Sequence, residues 1–117
     1  MYDRERRTAP RVIASTPTEV AAHDADAPRT VWGRLMDASS GGIAFISEDA
    51  VEDGELLELS VTALDGRTHL EGVVAKVVGT RIQYGDHVAH CAFVTDDVLP
   101  ESWPGSLSAW STGSLEL

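Results

Sequence analysis

Residues 57–78 read LELSVTALDGRTHLEGVVAKVV. Leu57, Leu59, Val61 and Ala63 alternate with Glu58, Ser60 and Thr62, the period-two pattern of a strand with one face in a core and the other in water. Asp65-Gly66 is a strong signal for a tight hairpin turn, and residues 68–78 supply the return strand. Working toward the N-terminus, residues 42–47 (GIAFIS) form a strand. Residues 30–36 (TVWGRLM) form another, with Trp32 and Arg34 on one face and Val31 and Leu35 on the other. Residues 11–20 (RVIASTPTEV) are β-prone, although Pro17 confines part of them to an edge or a bulge. Toward the C-terminus, residues 81–84 read as a short strand and residues 87–95 (HVAHCAFVT) as another.

The breaks between these runs are chemically plain. Residues 23–28 (HDADAP) are a polar loop with a proline stop, residues 37–42 (DASSGG) are turn formers, and residues 48–55 (EDAVEDGE) are an acidic connector. Before Asp96 no stretch holds a 3.6-residue period. Short strands with turn signals at this spacing predict an all-β fold: a small antiparallel β-barrel, split or Greek-key-like, of about six strands. The tail differs. Trp103, Leu107 and Trp110 lie at i, i+4 and i+7, and Pro104 suits the first position of a helix. We therefore expect a short C-terminal helix covering an open end of the barrel, with Trp32, Trp103 and Trp110 as core and lid residues. Exposure of Trp103 and Trp110 would make them a docking patch instead. The expected organisation is a flexible basic arm over residues 1–11, the barrel over 12–96, and a short helix with a loose tail over 97–117.

A chain of 117 residues is a prior for one domain with its own core. Nine basic against nineteen acidic residues, a net charge of −10, exclude a general binder of DNA or RNA, which needs a basic footprint. No apolar run approaches the roughly 20 residues of a membrane helix, and residues 1–11 do not read as a secretory signal. The single cysteine, Cys91, excludes an internal disulfide and a cysteine-based zinc cage. A reducing cytoplasm is the default expectation.

Catalytic and metal constellations are missing from the pattern. His87 and His90 are three apart in a strand and so diverge, and a metal site with Cys91 is disfavoured against a strand-edge histidine and a buried cysteine. Residues 48–58 lack the Asp-x-Asp-x-Asp-Gly order of a calcium loop. Ser39 and Ser40 have no G-x-S-x-G elbow and no paired base. We expect no enzyme, no metal and no cofactor.

Two segments do carry chemistry. Half of the arginines fall in the first eleven positions, and Arg6-Arg7-Thr8-Ala9-Pro10-Arg11 forms RRxxxR. Asp37-Ala38-Ser39-Ser40-Gly41-Gly42 forms DxSxxG between two predicted strands. A guanidinium is a planar donor fork that suits a small anion. The Asp37 carboxylate is an acceptor, and the Ser39 hydroxyl both donates and accepts. Gly42 permits close backbone approach and φ > 0. Read apart, the first segment is a solvated arm and the second an ordinary Asx/Ser turn.

Together, in this order and separation, they resemble the PilZ domain family over roughly residues 4–96. The resemblance implies a bacterial receptor for cyclic di-GMP on a small β-barrel, with Arg7 and Arg11 as the RxxxR pair and Asp37, Ser39 and Gly42 on the turn. For that ligand it implies guanidinium forks on phosphate oxygens and the guanine O6/N7 edge or stacked on a purine face, the Asp37 carboxylate accepting from the N1–H and N2–H₂ edge, and Ser39 bonding a base, a phosphate or nearby backbone. Arg6 before that pair implies an intercalated dimer of the ligand; the other reading is a solvated charge beside Glu5. Ordering residues 7–11 costs roughly 5–10 kcal/mol, partly offset by Pro10, and one bidentate contact returns only about 1–3 kcal/mol. The arm should therefore close only when several contacts form at once, as an order–disorder switch read by an unidentified partner protein. Two features count against tight binding: the acidic body, and the 23–28 loop, which this reading lets crowd the site. The alternative is a PilZ-like protein-interaction module that does not bind the nucleotide.

Overall fold

A computed structural model describes residues 11–14, 16–24, 26–94 and 99–107. Six strands follow one another: β1 (Thr18–Asp24), β2 (Thr30–Ser39), β3 (Gly42–Ser47), β4 (Leu56–Ala63), β5 (Thr68–Gln83) and β6 (Asp86–Phe93). They close into an antiparallel barrel in the order β1-β2-β3-β6-β5-β4. Closure removes the free sheet edges that would otherwise template aggregation. The alternation in β4 is the one expected, with Leu57, Leu59, Val61 and Ala63 all buried. Gly66 takes φ 93° in the β4–β5 hairpin, and Asp65 Oδ1 accepts from Arg67 N at 3.0 Å. Phe45 is fully buried at the centre of the core and packs with aliphatic side chains from every strand.

Register shifts interrupt the β2–β3, β4–β5 and β5–β6 pairings, and the first and last of these bear on the site. The first lies in β2, where the register with β3 shifts between Leu35 and Asp37. Strict alternation from inward-facing Leu35 would turn Asp37 into the barrel. The extra residue, Met36, restores Asp37 and Ser39 to the outer face and Ala38 to the core, where it is fully buried. β2 therefore continues through Ser39, and only Ser40-Gly41 turns; the DASSGG run is largely strand. The last is a bulge in β5, between Val77 and Gly79. It carries the strand on to Gln83, so residues 68–78 and 81–84 are one bent strand of 16 residues. The hairpin after it is built on Tyr84 (φ 52°) and Gly85 (φ 86°), a primed turn without its usual Asn-Gly signature.

The two ends of the barrel differ. One carries residues 24–30, the acidic connector and the β5–β6 hairpin. There Val51 inserts into the core, and Arg29 bonds Glu55 at 3.1 Å. The other end carries the β2–β3 turn. Pro100 and Pro104 withhold backbone donors and Gly105 is a poor helix former, so the expected C-terminal helix is a single 3-10 turn, Gly105–Leu107, preceded by a cis Trp103–Pro104 bond. That turn still closes its end. Trp103 and Leu107 join the core, Trp103 meets Phe93 edge-on with centroids 6.1 Å apart, and His69 Nδ1 lies 3.0 Å from Ser106 Oγ. Trp103 is thus a lid residue and no part of a docking patch. Trp32 is the opposite case, 58% exposed beside Arg34 and not in the core. Trp110 and residues 111–117 lie outside the described residues. No described helix is long and apolar enough to cross a membrane.

Candidate functional site

β1 pairs with β2 only as far as Arg34. Beyond that point one edge of β2 is open, and the residues before β1 fold back along it. Val12 N donates to Ala38 O at 2.7 Å and Ala38 N to Val12 O at 2.9 Å. This bridge sets Arg11 beside the bulged stretch of β2, where Arg11 Nη1 donates to Asp37 Oδ1 at 2.5 Å. The pair is open to solvent, with side chains 62% and 26% exposed. A pair this exposed is worth only about 0–1 kcal/mol, so both groups are cheaply released to another partner.

Arg11 also walls a cavity of about 510 Å³ on the outer face of the barrel, a volume typical of small-molecule sites. Ser39, Ser40 and Gly41 form one side, and Gly42, Gly79 and Ala92 give it small residues. Val78 and His90 complete the far side. Val78 reaches it because the β5 bulge turns that extra residue outward. Small residues let a planar ring lie near the backbone.

Four of the six expected site residues thus converge: Arg11, Ser39 and Gly42 line the cavity, and Asp37 stands against Arg11. Arg6 and Arg7 lie outside the described residues. Ser39 Oγ takes the backbone option among its expected partners, accepting from Gly41 N at 3.2 Å. The turn is pinned from behind by Trp103, whose Nε1 donates to Ser39 O at 2.9 Å, and from the side by Phe93 N, which donates to Gly41 O at 2.9 Å. Gly42 has no positive φ. Its small size serves close approach, because a Cβ there would meet Cys91 O at 2.0 Å.

The β1–β2 loop does not crowd the site: it lies at the far end of β2 from Ser39, about 30 Å away at 3.3 Å per residue. The acidic connector comes closer. Gly54 N donates to Val77 O at 2.7 Å, Val77 N to Glu55 O at 2.9 Å and Thr80 Oγ1 to Asp53 Oδ1 at 3.4 Å, beside the Val78–Gly79 wall of the cavity. The expected acidic penalty therefore bears on the site from that side.

Sequence reading missed Arg81 and His90. Arg81 Nη1 lies 3.0 Å from His90 Nε2, and Arg81 Nη2 donates to Gln83 Oε1 at 2.9 Å. Burial, followed by the charge of Arg81, holds His90 below its ordinary 6.5. Asp37 pulls the other way, and Arg11 adds to the lowering. These influences together favour the neutral imidazole. No group of three potential metal ligands occurs among the described residues. Cys91 is 4% exposed, and burial pushes its thiol up to about 12. The thiolate is the reactive form, so a disulfide reagent at pH 8 should leave the native protein unmodified and titrate one thiol after denaturation. Stoichiometric reaction of the native protein would contradict this burial.

The same fold recurs in solved structures. YcgR from Escherichia coli, solved in complex with c-di-GMP, superposes with a TM-score of 0.67 at 20% identity, over 95% of this chain and 46% of that one. The PilZ domain of Escherichia coli YcgR with c-di-GMP gives 0.63 at 18% identity, covering 95% and 98%. The Bacillus subtilis inhibitor of motility, MotI/DgrA, gives 0.66 at 16% identity, covering 95% and 52%. The chain thus spans about half the length of two of these proteins. No curated protein matches it in sequence. The PilZ domain model matches residues 5–102, most of the chain, and with the six-stranded barrel this establishes that the chain belongs to the PilZ domain family.

Proposed function

We propose that this protein is a receptor for cyclic di-GMP that carries out no covalent chemistry. The observation that supports it best is the convergence of Arg11 and Asp37 beside a cavity of about 510 Å³, on the fold of Escherichia coli YcgR, two solved structures of which hold c-di-GMP. In this reading Arg7 and Arg11 bind phosphate oxygens and the guanine O6/N7 edge. Asp37 accepts from the N1–H and N2–H₂ edge, and the turn from Ser39 to Gly42 carries the base against the sheet. Arg6 adds a further guanidinium for a second, intercalated ligand molecule. Arg11 exchanges a weak, solvated ion pair for charge-assisted bonds to phosphate, roughly twice as strong as neutral ones. Closing the arm over residues 1–11 then creates a surface that a partner protein reads, and such a receptor works in the cytoplasm.

Titration calorimetry with cyclic di-GMP tests the reading. Arg7→Ala, Arg11→Ala and Asp37→Ala are each expected to weaken binding about tenfold or more, from about 1–3 kcal/mol per lost bidentate contact. Wild-type affinity in all three variants overturns it. Absence of heat with the wild-type protein favours a protein-interaction module instead, and linearised dinucleotide after incubation points to an enzyme.

A further inference from the structure

Arginine has five N–H donors and no acceptor. The contact between Arg81 Nη1 and His90 Nε2, at 3.0 Å, can therefore form only if Nε2 is unprotonated and accepts. In a neutral imidazole the proton then sits on Nδ1. Among the described residues no hydrogen-bond partner is recorded for Nδ1, although His90 lines the cavity. Arg81 is itself steadied by Gln83 at 2.9 Å. The β5 bulge makes this arrangement, because it sets Gly79 opposite His90 and leaves Arg81 two residues further along the outer face.

We propose that His90 is a further ligand-binding and specificity-determining residue of this cavity, donating from Nδ1 to O6 of a guanine, with Arg81 as the positioning residue that fixes its tautomer. The inference rests on the receptor reading above and deepens it. Guanine presents O6 as an acceptor where adenine presents an N6–H₂ donor. A neutral donor held at this wall bonds the first and opposes the second. Asp37 and His90 then meet a guanine with opposite hydrogen-bonding sense. The charged groups around the imidazole are Arg81 from β5, Asp37 from β2 and Arg11 from the segment before β1; β3 contributes only Ala44 at this register. Burial and the two arginines favour the neutral ring that the arrangement requires.

The test compares cyclic di-GMP with cyclic di-AMP by calorimetry on the full chain. His90→Leu is expected to weaken cyclic di-GMP about 5- to 10-fold without weakening cyclic di-AMP, so that discrimination shrinks by at least the same factor. His90→Gln keeps an N–H donor and an acceptor for Arg81, and should restore most of the affinity. Proton–nitrogen correlation spectra should show His90 as the Nδ1–H tautomer in the wild type and a mixture in Arg81→Met, a change that loss of bulk alone would not produce. His90→Leu binding both dinucleotides as the wild type does overturns the assignment while leaving the receptor reading intact. A wild-type protein that binds neither dinucleotide overturns both.

Discussion

Alanine at position 42 is expected to destabilise the fold by about 3 kcal/mol, the upper part of the range for overpacking a filled site. At about 4 °C or more per kcal/mol for a domain near this size, the melting temperature should fall by about 12 °C or more. The added methyl would lie 2.0 Å from Cys91 O, 3.0 Å from Cys91 C and 3.1 Å from Ala92 Cα. All three are backbone atoms of β6, which is paired on one side to β3 and on the other to β5. No flexible side chain stands there to move aside, so β3 must part from β6. Gly41 is the internal control. A Cβ on it meets only Ser39 Oγ, at 3.9 Å, and Gly41→Ala should change stability by less than about 0.5 kcal/mol. Thermal melts of the two variants check the contrast, and a Gly42→Ala protein that melts with the wild type would show that β3 and β6 do not approach as described. Gly42 and Cys91 also line the cavity, so the close approach that needs glycine sets the shape of the floor as well.

That pairing of glycine and cavity was only half legible from sequence. The existence of the β4–β5 hairpin is readable because its signals are local, alternation over Leu57–Ala63 and an Asp-Gly turn, although its register shifts against β5 are not. Nor are the bulges at Met36 and Val78, because register is decided by the partner strand and no local residue announces the shift. Their consequences were hidden with them. The 26-residue separation of Arg11 from Asp37 is closed by the Val12–Ala38 bridge, which forms only because β1 stops pairing with β2 at Arg34. Arg81 and His90 meet only after the β5 offset, so alternation alone placed His90 as an edge residue. The C-terminal segment shows the opposite error: a helical spacing of Trp103 and Leu107 was real as a burial pattern, but two prolines and a glycine left backbone for only one 3-10 turn. Trp32 shows that a core role for a large aromatic yields to strand alternation, which sets it opposite Val31 and beside Arg34 on the exposed face.

Trp103→Ala is the second large effect, an expected loss of about 3–5 kcal/mol by comparison with other large-to-small aromatic truncations. The ring is 7% exposed, belongs to the core cluster and contacts Phe93 edge-on. Its removal opens the barrel end that carries the β2–β3 turn. A second variant separates packing from hydrogen bonding. Trp103→Phe keeps an aromatic body against Phe93 but lacks the Nε1–H that reaches Ser39 O across 64 residues of chain, and should cost about 1 kcal/mol from that bond besides whatever the smaller ring loses in packing. Urea melts of both variants check the order of effects. If Trp103→Ala unfolds with the wild type, the C-terminal turn is not part of the barrel's core. If the order holds, a residue that never touches the cavity fixes the carbonyl behind it. The Ser39–Gly42 turn would then be held in place by the C-terminal segment, and the wall it gives the cavity would be part of the folded barrel.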